Sequence, residues 1–228
     1  MPLQDLRPGP AARLSQAGTP APLRRWQYHS TSREEALSFC LNKGRTAGQT
    51  PGAMDFFKLI KNRRSIRAFI GQPVEEEKIN RIIEAANHAP SAGNLQAYVI
   101  VVIRDANTKL ALSRAALDQE SLVQAPVVLA FFAHQQLSAA KYKNRGRELY
   151  SLQDASVACS YAQLAAAALG LGSVWVGAFD DQAVNHILKA QADWRPVALL
   201  PVGYPAESPA ATPRRAVAEL ARDAAAHL

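Results

Sequence analysis

The segment Asn62-Arg63-Arg64-Ser65-Ile66-Arg67-Ala68-Phe69 places three arginines and a serine within five positions, just after the apolar run Phe56-Phe57-Lys58-Leu59-Ile60. In an extended segment alternate side chains share one side, so Arg63, Ser65 and Arg67 are expected to point the same way. Two planar guanidinium forks and a hydroxyl on one side suit a phosphate, which they can meet with bidentate, charge-assisted hydrogen bonds. A plainer role competes for part of the cluster. Arg63 and Arg64 fall in the last turn of the preceding helix, where cations complement exposed carbonyls for about 0.3–1 kcal/mol. That role does not explain Ser65 and Arg67, which lie beyond the helix.

A second segment, Pro90-Ser91-Ala92-Gly93-Asn94-Leu95-Gln96-Ala97-Tyr98, leaves a helical pattern and enters an apolar run. Its small residues let backbone approach a ligand, and Asn94 and Gln96 offer both donors and acceptors. The same composition also serves an ordinary helix-to-strand turn.

The elements that must carry these segments follow from periodicity. Phe56, Phe57 and Ile60 mark a first helix that Asp55 can cap and that should stop near Arg63. A second helix is expected from Pro73, with Glu75, Glu76 and Glu77 at its positive end, a core stripe of Ile79, Ile82, Ile83 and Ala86, and Pro90 as its stop. The runs 97–103 and 126–133 are continuous and rich in β-formers, as strands covered on both faces require. An alanine-rich helix over 153–169, with Val157, Tyr161, Leu164, Ala165 and Ala168 as its stripe, closes at Gly170. A strand over 173–179, a short helix capped by Asp180 or Asp181, and a buried strand over 196–203 complete the pattern. Four buried strands among helices demand a sheet covered on both faces, an α/β or α+β layered domain.

Composition narrows the function classes. The chain has 228 residues and a net charge of +7, but residues 1–53 hold 7 Lys+Arg against 3 Asp+Glu, which leaves only 19 against 16 beyond them. The basic residues do not interleave with aromatics as a stacking platform would, which argues against a nucleic-acid partner. Two cysteines, Cys40 and Cys159, cannot build a disulfide framework, so a reducing, cytoplasmic setting fits. The longest apolar run, Leu164 to Phe179, is too short for a bilayer, so no membrane role is expected. Residues 1–53 contain six of the fourteen prolines and no sustained period, and they read as a poorly ordered leader ahead of a domain spanning 54–228. That leader is either upstream of a true start at Met54 or an organellar transit peptide. No G-x-S-x-G elbow, H-E-x-x-H pair or metal-ligand cluster occurs, and the G-x-G at Gly170 and Gly172 lacks a third glycine.

With both segments in view, the sequence resembles the FMN-dependent nitroreductase family over about Met54 to Leu220. MDFFKLIKNRRSIRAF is similar to the family's opening helix and Arg-x-Ser-x-Arg flavin motif, and APSAGNLQAY to its Pro-Ser-x-x-Asn-x-Gln-Pro-Trp loop, with Ala97 and Tyr98 departing at the last two positions. QDASVACSYAQLAAAALGLGSVWVGAFDD is similar to its Gln-Asp helix, Gly-Leu-Gly turn and Trp-hydrophobic-Gly strand, and RPVALLPVGYPAESPAATPRRAVAEL to its final strand, Gly-Tyr-Pro turn and late arginine.

The resemblance implies an α+β layered fold with a central mixed β-sheet flanked by helices, in an intertwined homodimer. It implies that Arg63, Ser65 and Arg67, with Arg64 and with Arg214 or Arg215, hold the FMN phosphate and ribityl chain. Pro90, Ser91, Ala92, Gly93 and Asn94 would line the flavin, commonly from the partner subunit; backbone groups of Val176 and Gly177 would approach N5, with Gln153 nearby. It implies ping-pong hydride transfer from NAD(P)H to nitroaromatic, quinone or similar conjugated acceptors, with the flavin and no side-chain nucleophile doing the chemistry. The alternatives are a flavin-binding dimer without NAD(P)H turnover, or a specialised member such as a reductive dehalogenase, flavin-fragmenting enzyme or azoline oxidase. The polar segment 134–152, with Lys141, Lys143, Arg145 and Arg147, is either a solvated connection or a lid over the flavin.

Overall fold

The computed structural model describes residues 55–221. The leader 1–53, Met54, Cys40 and the last seven residues of the expected domain lie outside them. In chain order come helix α1 (Phe56–Asn62), α2 (Glu76–Asn87), a 3-10 turn (Ala92–Asn94), strand β1 (Tyr98–Ile103), α3 (Ala106–Ala115), α4 (Ser121–Gln124), β2 (Val127–His134), α5 (Gln135–Arg145), a π-helical turn (Gly146–Tyr150), α6 (Ser151–Ala168), β3 (Gly172–Ser173), α7 (Asp181–Ile187), β4 (Trp194–Gly203) and α8 (Val217–Leu220). No helix among them is long and apolar enough to cross a membrane.

The strands form one sheet in the order β1-β2-β4-β3. Strand β2 lies at its centre and is buried on both faces, which is why Val127 to Ala133 read as one unbroken apolar run. Its alternate side chains serve two cores. Leu129 and Phe131 pack with Ile79, Ile82 and Ala86 of α2 and with Ala158 and Ala162 of α6. Val128, Ala130 and Phe132 pack on the other face with Leu112 of α3, Leu122 of α4 and Val184 of α7. The result is the expected three-layer α+β arrangement.

Five details differ from the sequence-based expectation. The sheet is antiparallel rather than mixed, because α3 and α4 fold against each other and return the chain to Val128, opposite Ile103 where β1 ended. The only parallel pairing among the described residues is a single bridge, Ser65 to Ser173. Strand β1 is half-buried rather than covered, because it is a sheet edge. Strand β3 has two residues instead of seven: Val176 makes one bridge to Leu199, and the chain then leaves the sheet for α7, whose first N–H groups Asp180 caps.

Helix α2 starts at Glu76, three residues after Pro73. Glu75 takes the position before it, and its carboxylate accepts the Tyr204 O–H and pairs with Lys78 at 3.1 Å. Its own backbone N–H, then Tyr204 and Lys78, hold that carboxyl down at about 2. Tyr204 thus ties the end of β4 to the start of α2.

Helix α6 buries a different face from the expected stripe. The small residues Ala155, Ala158, Ala162 and Ala166 face the sheet, which lets the helix approach closely, while Val157, Leu164 and Ala165 are half-buried and Tyr161 is exposed. A helix apolar on all sides defeats a stripe argument, because more than one face is available to bury.

Candidate functional site

Helix α1 is capped by Asp55, whose carboxylate accepts the Phe57 N–H at 2.8 Å, and it ends at Arg63, whose backbone turns extended after donating to the Leu59 carbonyl. The extended segment that follows is clamped twice. Ile66 N–H donates to the Ser173 carbonyl at 3.0 Å, which registers the segment against β3. The Glu207 carboxylate accepts the N–H groups of Arg67 and Ala68. With the backbone so held, Arg63, Arg64, Ser65 and Arg67 line a cleft of about 640 Å³ together with Thr212 and Arg214.

The charges in this cleft, on Arg63, Arg64, Arg67 and Arg214, make no salt bridge among the described residues, although the Glu207 carboxylate, bonded to the Arg67 backbone, is close enough to feel the Arg67 charge. Burial, then the charges of Arg214 and Arg64, push the Arg63 guanidinium below its ordinary value. Such a cluster stores repulsion that an anion relieves. Of Arg63, Arg64, Ser65 and Arg67, Arg64 alone makes side-chain bonds to the helix end, while it and the other three line the cleft. Its guanidinium donates to the carbonyls of Lys61 and Arg63 at 2.7 and 3.0 Å. Of the two late arginines only Arg214 lines the cleft; Arg215 is exposed outside it.

A second cleft, of about 380 Å³, is lined by Pro90, Ser91, Ala92, Tyr150, Gln153, Asp154 and Val157. The turn at its edge is strained. Gly93 at φ 59° is suited to the left-handed region, but Asn94 at φ 58° and Gln96 at φ 45° also lie there, at a cost of about 1–3 kcal/mol each. Hydrogen bonds over-determine the shape. Ser91 Oγ accepts the Gln96 N–H and one Nε2–H, and Gln96 Nε2 also donates to the carbonyl and Oδ1 of Asn94. Asn94 is exposed, and its Nδ2 makes no hydrogen bond among the described residues. Gly93 and Asn94 are exposed and line neither cleft.

Val176 does not fit the backbone-donor role expected of it. Its N–H and carbonyl are both engaged with Leu199, at 2.9 Å each, so of the pair only Gly177 keeps a backbone N–H for a ligand. The segment 134–152 forms helix α5 and the π-turn, and all but Ser138, Gly146 and Ser151 are exposed or half-buried. Helix α5 and the π-turn pack so closely that a Cβ on Gly146 would lie 2.4 Å from the Ser138 carbonyl oxygen. Arg145 Nε donates to Tyr150 Oη at 2.9 Å, and Tyr142 and Tyr150 meet edge to face. A Cβ on Gly93 would strike Tyr142 Oη at 2.3 Å, so α5 rests directly on the strained turn.

Sequence reasoning gave no role to Glu207 or Asp154. Asp154 had a signal: it is the only charged residue in the 18 residues of α6, where an isolated acid on an apolar helix calls for a partner.

An antiparallel sheet between helical layers, with a cationic cleft at one edge and a strained polar turn at another, defines a cofactor-binding α+β class. A match to the Nitroreductase family covers residues 60–121 and 111–204. The chain belongs to the nitroreductase family. It is 35% identical over 172 residues to an NADH dehydrogenase of Thermus thermophilus, covering 64% of this chain and 84% of that one. It is 33% identical over 173 residues to an FMN reductase [NAD(P)H] of Bacillus subtilis, covering 70% of each. Among solved structures, B. megaterium NfrA2 superposes with a TM-score of 0.70 at 29% identity over 75% of both chains.

Proposed function

We propose that this chain is an FMN-dependent oxidoreductase that uses NAD(P)H to reduce nitroaromatic, quinone or similar conjugated acceptors, and that it works as a homodimer. The observation that carries the reading is the cleft in which Arg63, Arg67 and Arg214 converge with no salt bridge to any of them among the described residues. The relatives named as an FMN reductase and an NADH dehydrogenase support it.

The residues present fit the cofactor. A cationic cleft with Ser65 on its wall suits a phosphate and a polyhydroxyl chain. Arg63, Ser65, Arg67 and Arg214 would hold the phosphate end, with Arg64 behind them. When bound, FMN supplies the hydride-accepting and hydride-donating ring. The chain's own groups would orient that ring and exclude water: the Gly177 N–H makes no hydrogen bond among the described residues, Gln153 borders the second cleft, and the exposed Asn94 of the 90–94 turn carries a donor.

Two features support the homodimer. The phosphate cleft and the 90–94 turn lie apart within one protomer, an arrangement that suits a second copy laying its turn over each phosphate seat. Helix α1 buries none of its residues, leaving Phe57 74% exposed, and α6 leaves Val157, Leu164 and Tyr161 partly uncovered; both faces suit a large apolar interface. A cytoplasmic setting is consistent with Cys159, which is buried and in no disulfide among the described residues.

The direct test is anaerobic stopped-flow mixing of FMN-loaded protein with NADH or NADPH, followed by reoxidation with a panel of nitroaromatics and quinones. Bleaching by at least one donor and recovery with an acceptor is expected. Failure of both donors to bleach the flavin would reject turnover and leave a flavin-binding dimer.

Arg145 and Arg147 are the chain's proposed contacts to the nicotinamide donor, because Arg145 is held against Tyr150 at the edge of the second cleft. Their joint replacement by alanine should raise the apparent KM for the reduced donor up to about fivefold, the size of an exposed charge contact, with kcat little changed. Steady-state kinetics check this, and an unchanged KM removes the contact.

A further inference from the structure

Asp154 is 3% exposed and takes part in none of the salt bridges among the described residues. Its two oxygens reach the two ends of one turn. Oδ1 accepts the Ala92 N–H at 2.8 Å, and Oδ2 accepts the Ala97 N–H at 3.4 Å. Between those ends lie the left-handed residues Gly93, Asn94 and Gln96. The bonds inside the turn, from Gln96 to Ser91 and Asn94, fold it upon itself but do not fix it to the body of the protein. Asp154 does so, from a rigid helix packed on the sheet. A neutral residue would avoid the cost of burying a charge, which makes a carboxylate here a choice for two strong acceptors at once.

We propose that Asp154 is a positioning residue: its carboxylate, bonded to Ala92 and Ala97, holds the strained 92–97 turn in the shape that receives the flavin ring. The proposal rests on the FMN reading above. Asp154 itself contacts neither ring nor substrate; it acts through the turn, and through the Asn94 donor that the turn presents.

The test compares Asp154→Ala and Asp154→Asn with wild type in the full chain, by quenching of flavin fluorescence on titration with FMN and by melting temperature with and without FMN. Alanine removes both acceptors, whereas asparagine keeps an oxygen for the shorter bond to Ala92. The expected result is a dissociation constant raised about tenfold or more in Asp154→Ala, a smaller rise in Asp154→Asn, and a reduced FMN-induced gain in melting temperature in the same order. Folded variants that bind FMN as tightly as wild type would overturn the proposal and leave the FMN reading intact. So would an equal loss of melting temperature with and without FMN, the mark of a purely structural role. Wild type that binds no FMN would instead sink the cofactor reading and this proposal with it. Should Asp154→Ala fail to fold, Asp154→Asn alone decides between these results.

Discussion

Replacing Arg63 and Arg67 together by alanine is expected to release FMN from the protein while the apo chain melts within about 3 °C of wild type. The two effects separate because the same charges act oppositely in the two states. With a phosphate present, each guanidinium makes charge-assisted hydrogen bonds worth about 1.5–3 kcal/mol. Even allowing for coupling between neighbours, loss of both should weaken binding at least about a hundredfold. Without a phosphate, Arg63 sits half-buried beside the like charges of Arg214 and Arg64. Its removal relieves that repulsion, offsetting the packing lost with its aliphatic stem. Fluorescence titration and paired melts with and without FMN measure both quantities. Wild-type affinity should also fall as salt is raised, and the variant's dependence should be flatter. A double variant that keeps its colour would place the phosphate elsewhere.

The sequence disclosed this cleft more fully than the rest of the site, and the reason is local. Arg63, Ser65 and Arg67 lie within one short extended segment, so their common direction follows from strand geometry alone, and the structure brings them into one cleft. The buried central strands were legible for a similar reason, since the apolar runs of β2 and β4 need no knowledge of their neighbours. What was illegible depends on partners distant in sequence. Asp154 meets Ala92 and Ala97 across 62 and 57 residues, and Glu207 meets Arg67 across 140. Val176 has the right residue type for a backbone contact to a ligand, but Leu199 already uses its N–H and carbonyl. The buried face of α6 was misread because small residues, not large ones, face the sheet, a choice governed by how closely helix and sheet approach. Antiparallel pairing was hidden as well, since alternating strand and helix patterns are shared by parallel crossovers and by helical pairs that return the chain to the same end.

Gly172→Val should damage both stability and FMN binding, and Ile66→Ala should partly rescue it. A Cβ at Gly172 would lie 2.8 Å from both Cβ and Cγ2 of Ile66 and 2.9 Å from its Cγ1. Ile66 is buried, and its N–H holds the segment to Ser173, so it cannot simply swing away. Valine at 172 must therefore push the 63–67 segment off the edge of β3, costing about 1–3 kcal/mol by overpacking and moving the arginines that converge on the phosphate seat. Ile66→Ala alone should cost about 2–5 kcal/mol through the cavity it leaves. In the double variant the close approaches to Cγ1 and Cγ2 of Ile66 are gone and only the one to its Cβ remains, so the relief is partial. The two costs should then fall short of additivity by about 0.5–3 kcal/mol, with FMN affinity recovering toward wild type. Urea unfolding of the four proteins and FMN titration of each give the coupling directly. A strictly additive pair would mean that β3 does not set the position of the arginine segment, and that the Glu207 clamp alone holds it in place.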